Sequence, residues 1–184
     1  MKILCVAVKE ELPNCPEEYT VVYTGVGKVQ AAFTLQRAIN QVRPVEVWNY
    51  GTAGSVSGKH NGLVEVDVIL QRDMIAEPLA PRGIIPYAEN EHAGAIVLET
   101  ANKKMVTCGT GDSFVTETDP WFEYASIDIV DMEAWALGYV CKQFGIRFRC
   151  FKYISDHADV DAGKDWAANV QAGFKDFQQI ARVA

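Results

Sequence analysis

Four acidic residues stand where apolar, strand-like runs give way to polar turns: Glu11 after MKILCVAVKE, Asp112 in GTGDSF, Glu133 in IDIVDMEAW and Asp156 in FKYISD. A carboxyl group at the end of a buried strand is placed for proton chemistry. Partial desolvation and neighbouring carboxylates keep it protonated closer to neutral pH than water does. Ionised carboxylates in the same place stabilise a cationic transition state. Each acid also has an ordinary reading: Glu11 as a solvated loop residue, Asp112 as a turn cap, Asp156 as a strand end, and Asp131 and Glu133 as complements to a helix N-terminus. Asp131 lies just before the first helical turn and fits the capping position. The chemical reading gains when the four are taken together, on loops expected to converge at one sheet edge.

The elements that must position these acids alternate. Residues 2–8 and 20–24 read as strands, and Gly25-Val26-Gly27 turns the chain into a helix from Lys28 to about Arg43. Its apolar positions are Val29, Ala32, Leu35, Ile39 and Val42, and Pro44 stops it. Further strands are predicted at 45–50, 64–73, 94–99, 105–108 and 147–155, with a strand and helix from 127 to about Gly145. Gly51-Thr52-Ala53-Gly54-Ser55 and residues 109–114 read as loops. Residues 76–93 hold Pro78, Pro81 and Pro86 with no period, and a loop of that length is functional or mobile. Trp166, Val170, Phe174, Phe177 and Ala181 mark one closing amphipathic helix. This alternation predicts a parallel or mixed sheet covered on both faces, with ligands at the carboxyl ends of its strands. No repeat or linker interrupts it, so residues 1–184 read as a single domain.

Composition narrows the partners. Of 184 residues, 49% are apolar and 22% charged, with a net charge of −7. That balance argues against nucleic acid or an anionic membrane, which need a basic face. The five cysteines, Cys5, Cys15, Cys108, Cys141 and Cys150, form no CxxC pair, which suits reduced thiols in a cytoplasmic protein and indicates no zinc site. The first apolar run, Ile3 to Val8, is too short for a signal peptide and reads as a buried strand, and no segment approaches transmembrane length. TGVGKV fails as a phosphate loop, and Gln30 breaks the dinucleotide fingerprint. Gly25 and Gly27 then either let amides approach a ligand or simply make a tight turn. His60 and His92 lie in polar stretches read as solvated, and with His157 they define no Ser-His-Asp order.

GVGKVQAA, NYGTAGS, GTGDSF, DMEA and YISD follow the order and approximate spacing of the purine nucleoside phosphorylase and nucleosidase superfamily. Within it the chain most resembles the 5′-methylthioadenosine/S-adenosylhomocysteine nucleosidases, over nearly its whole length. The resemblance implies a three-layer α/β/α sandwich with a central mixed sheet, a homodimer, no cofactor, and cleavage of the N-glycosidic bond of a purine nucleoside by water. It makes Asp156 the acid that protonates the base, oriented by Ser155, and Glu11 the water-activating base, assisted by Thr52. Glu133 would hold the ribose hydroxyls and Met132 would pack on the sugar. Phe114 would stack on the base, and the backbone of Val115 would read its edge. The resemblance also makes binding residues of Gly51, in NYGTAGS, and Lys152, just before YISD. Departures from the nucleosidase pattern are Asp131 in place of Glu, Thr52 in place of Ser, Lys152 in place of Arg, and a shortened stretch around residues 75–95. The sequence leaves as alternatives a phosphate-dependent phosphorylase and a non-catalytic nucleoside binder. Lys9 and Lys28 lie near the first glycine turn, but NYGTAGS holds no arginine and the candidate site is rich in acids, which favours water as the nucleophile.

Overall fold

The computed structural model describes residues 1–14, 17–88, 94–100 and 105–183. Cys15 and His92 fall outside that set. The elements in chain order are β1 (Lys2–Val6), a 3-10 turn (Lys9–Glu11), β2 (Tyr19–Tyr23), α1 (Lys28–Val42), β3 (Glu46–Ser55), β4 (Leu63–Glu65) and β5 (Val68–Gln71). They continue with β6 (Ile96–Val97), β7 (Thr107–Thr110), α2 (Pro120–Tyr124), β8 (Ile129–Asp131), α3 (Ala134–Gln143), β9 (Arg147–Asp156), α4 (Ala162–Asn169) and α5 (Phe174–Val183).

The strands form one nine-stranded mixed sheet in the order β2-β1-β3-β8-β7-β5-β6, with β9 joined to both β3 and β4. Strands β1, β2, β3 and β9 run parallel, whereas β8 meets the far end of β3 antiparallel. Period-two alternation explains why both faces are covered. Ile3, Cys5, Val47 and Cys150 turn to the face packed by Leu35, Ile39 and Leu137 of α1 and α3. Leu4, Val6, Trp48, Tyr50 and Phe151 turn the other way and pack with Phe177 and Ala181 of α5. The result is the expected helix–sheet–helix sandwich.

Several boundaries differ from expectation. Residues 51–55 are not a loop: β3 runs through them, pairing with β9 as far as Gly54. The run 64–73 breaks into two strands, because Val66 still donates to Cys150 O of β9 while Asp67 turns towards β7 and accepts from Val106 N at 2.8 Å. The closing helix is likewise two helices. Gly173 lies between them, with its backbone so close to the Tyr153 ring that a Cβ would sit 2.3 Å from Cγ. On α1 the buried stripe is Ala31, Leu35, Ala38 and Ile39, so Val29, expected to be core, faces outward with Phe33. The stop before Pro44 is a left-handed Arg43 with φ 49°. The described part of 76–93 has no helix or strand, but Arg82 pins it: its guanidinium donates to Arg72 O at 2.7 Å, pairs with Asp119 at 2.6 Å and stacks on Trp121. His60, expected in solvent, lies against Asp128 at 3.6 Å.

Candidate active site

One cavity of about 390 Å³ opens over the C-terminal end of β3. That volume lies in the range of small-molecule sites. Glu11, Glu133 and Asp156 all reach it, from three separate elements, and Asp112 does not. The rest of the lining is largely apolar, with Val26, Phe114, Val115, Met132 and Trp166 among its walls.

Glu11 ends the 3-10 turn that follows β1 and is almost fully buried. Its Oε1 accepts from both Thr52 N and Thr52 Oγ1 at 2.8 Å, while Oε2 has one long contact, from Val8 N at 3.4 Å. Thr52 Oγ1 in turn accepts from Trp166 Nε1 at 2.9 Å. Gly51 explains how the strand and the carboxylate approach each other, since a Cβ there would lie 3.2 Å from Glu11 Oε1.

Asp156 closes β9. The pairing of β3 with β9 slips by one residue, from Ala53 opposite Ile154 to Gly54 opposite Asp156, and such a bulge re-aims the side chains at a strand end. Ser155 Oγ donates to Asp156 Oδ2 at 2.8 Å, and Ala158 N donates to Oδ1 at 2.9 Å. Gly54 is required here: a Cβ would sit 2.6 Å from Asp156 Oδ1.

Glu133 occupies the N-cap position of α3, and its Oε1 accepts from Gly27 N, at the start of α1, at 2.9 Å. The amide freed by the glycine turn therefore serves the protein's own carboxylate. Lys28 N does likewise, donating to Asp112 Oδ1 at 2.7 Å. Asp112 is thus a helix-end partner, tied by its own N–H to Asp73 Oδ2 at 2.8 Å. Burial, and then the negative charge of Asp131, push the Glu133 carboxyl up to about 7, against the opposing pull of Lys152 and the Gly27 N–H.

Beneath Glu133 lies a wholly buried ion pair, Asp131 Oδ2 to Lys152 Nζ at 2.7 Å. Burial alone would raise the Asp131 pKa. Lys152, together with hydrogen bonds from Thr110 Oγ1 at 2.6 Å and Ala134 N at 2.8 Å, holds it below the ordinary value. Asp131 therefore caps α3, as its position suggested. Two residues assigned to substrate contact do not line the cavity: Lys152 is bound to Asp131, and Gly51 lies behind Glu11 with no side chain to present.

Two cavity residues escaped the sequence reading. Trp166 enters the sequence reading only as part of the apolar face of the closing helix; an indole N–H needs a partner when buried, and that requirement is the available signal. Arg72 follows β5 and braces the 109–113 segment, donating to Gly109 O at 3.2 Å, Gly111 O at 3.0 Å and Ser113 Oγ at 2.9 Å, and also to Ser113 O. It thereby sets the stem on which Phe114 and Val115 stand. Gly111 leaves room for it, since a Cβ would lie 2.9 Å from Cζ. Among the described residues no cluster of His, Cys, Asp and Glu is arranged to hold a metal ion.

A mixed sheet, a 3-10 turn and the start of α3 thus bring Glu11, Glu133 and Asp156 to one largely apolar pocket of an α/β protein. The chain belongs to the phosphorylase superfamily, whose pattern matches residues 16–184. It is 29% identical over 174 residues to a 5′-methylthioadenosine/S-adenosylhomocysteine nucleosidase of Buchnera aphidicola, covering 83% of this chain and 72% of that protein. The Staphylococcus saprophyticus protein of the same name is 28% identical, covering 80% and 72%. Among solved structures, a Helicobacter pylori nucleosidase variant with 5′-methylthioadenosine in its active site superposes with a TM-score of 0.87 at 19% identity, covering 100% of this chain and 98% of that one. Helicobacter pylori futalosine hydrolase superposes with a TM-score of 0.84 at 22% identity, covering 100% and 99%. These structures share the fold.

Proposed function

We propose that the chain is a purine nucleosidase, hydrolysing the N-glycosidic bond of a nucleoside of the 5′-methylthioadenosine/S-adenosylhomocysteine type. One observation carries the reading: Glu11, Glu133 and Asp156 surround a single cavity, each with different hydrogen-bond partners and so with a different task. The names of the relatives point the same way.

In this reading the base lies against Phe114, with its edge at the Val115 backbone, and Met132 packs on the sugar. Asp156, oriented by Ser155, gives a proton to N7. The C1′–N9 electron pair leaves with the base, and an oxocarbenium-like sugar develops, as in other glycoside cleavages. Acid catalysis of this kind contributes about 10²–10⁴-fold in rate. Water adds to C1′ while Glu11 takes its proton, with Thr52 beside it. Glu133 accepts from the 2′- and 3′-hydroxyls, each bond to the ionised form giving roughly 1.5–3 kcal/mol. The ionised Glu133 carboxylate also attracts the positive charge developing on the sugar, so it binds the transition state better than the ground state.

Water is favoured over phosphate because Lys28, Arg72 and Lys152 are already paired within the protein. Lys28 Nζ pairs with Asp73 at 2.6 Å, and the Arg72 guanidinium is bonded to the 109–113 segment. The buried, unpaired Cys5, Cys108, Cys141 and Cys150 suit a reducing, cytoplasmic setting. Among the described residues no helix is long and apolar enough to cross a membrane. We also place a second copy of the chain against the exposed side of α1, making a homodimer.

The test is release of adenine from 5′-methylthioadenosine in phosphate-free buffer. Asp156→Asn is expected to keep substrate affinity and lower kcat at least about 100-fold. A strict need for phosphate, or binding without turnover, would replace this reading with a phosphorylase or a binding protein.

A further inference from the structure

We propose that Trp166 is a positioning residue for the water-activating carboxylate, acting through the Thr52 hydroxyl. The inference rests on the nucleosidase reading and adds to it a residue on α4, outside the motifs that carry the three acids.

The direction of the hydrogen bonds carries the argument. An indole N–H can only donate. Trp166 Nε1 lies 2.9 Å from Thr52 Oγ1, so that hydroxyl is the acceptor there. Its single proton must then point elsewhere, and Glu11 Oε1 lies 2.8 Å away. Thr52 N donates to the same oxygen, also at 2.8 Å. Glu11 Oε1 is thus filled by two donors, and Oε2, which among the described residues has just the long Val8 N contact of 3.4 Å, is the oxygen left to take a proton. Without the indole, the hydroxyl could rotate and donate to water, and the two carboxylate oxygens would lose their distinction.

The placement of α4 supports the same role. One turn beyond Trp166, Asn169 Nδ2 donates to Ser155 O at 3.0 Å, so side chains three apart on one helix face touch both halves of the site. Trp166 steadies Thr52 on β3 and, through it, Glu11, and Asn169 steadies the strand end that carries Asp156.

The experiment compares Trp166→Phe, Thr52→Val and their combination in the full-length protein. Trp166→Phe keeps the ring and removes the donor. Its kcat is expected to fall about tenfold, equivalent to about 1.4 kcal/mol, with KM changed less than about twofold. In the Thr52→Val background the same change should cost little further, because the group it acts through is gone. An undiminished effect in that background, or unchanged kcat in Trp166→Phe alone, would overturn the proposal by reducing Trp166 to a packing residue. The indole N–H resonance of Trp166, identified by its loss in Trp166→Phe, is read independently of turnover. It should shift and exchange faster with solvent in Thr52→Val, and an unmoved resonance also overturns the proposal. A parent protein that releases no base would instead sink the nucleosidase reading, while the resonance still decides whether the relay exists.

Discussion

Glu133 holds two properties in opposition. Its carboxyl titrates at about 7 rather than the ordinary 4.5, chiefly through burial. The folded state therefore binds more protons than the unfolded state between those values, so stability is present below the window and is lost as pH rises through it. Replacing the acid by its amide removes that loss. Glu133→Gln should match the parent in thermal unfolding near pH 5 and exceed it at pH 8, by roughly 2–3 kcal/mol. The same variant should bind nucleoside poorly, since an amide offers the diol one acceptor oxygen. In the parent, KM should climb as pH falls below about 7, where the proton occupies the oxygens that the sugar needs. Equal stability gaps at the two pH values would show that this carboxyl is not held near neutrality.

At the scale of elements, β3 decides the site. Its glycines were read as a loop because glycine-rich runs usually are loops. They are strand residues, small because carboxylates press against them: Gly51 faces Glu11, and Gly54 faces Asp156. Gly54→Ala is accordingly expected to fold and to lose activity at least about tenfold, because the methyl would displace Asp156 Oδ1 from Ala158 N. Kinetics beside a circular dichroism spectrum would check this, and full activity would refute it. Three of the four acids, Glu11, Glu133 and Asp156, were legible from the apolar runs they follow, whereas Asp112 turns instead to the Lys28 N–H. Asp131 was legible as a cap from its place before α3. Lys152 was not legible as its partner, nor Trp166 as a neighbour of Thr52. Those contacts depend on how β8 and β9 both pair with β3 and how α4 packs on β9, and no local period records either. The stripe of α1 was misjudged for a similar reason: Val29 fits the spacing, but the packed face runs through Ala31, Leu35, Ala38 and Ile39.

For the molecule as a whole, the outer side of α1 is the notable surface. Val29 and Phe33, one turn apart, are 79% and 63% exposed, and Val26 at the cavity wall is 52% exposed. Exposed apolar groups grouped beside a pocket mark contact surfaces. The proposed second copy would cover them, and Phe33→Asp should shift the protein to monomer in sedimentation while leaving its fold intact. An unchanged sedimentation coefficient would place the contact elsewhere. The same helix begins at Gly27, whose N–H holds the Glu133 oxygen at 2.9 Å. A single bond thus separates the outside of the molecule from the oxygen that would grip the sugar, and whatever leans on that rod tugs at the catalyst. Turnover per chain should therefore rise with protein concentration, because chains kept apart by dilution would leave that oxygen less firmly moored.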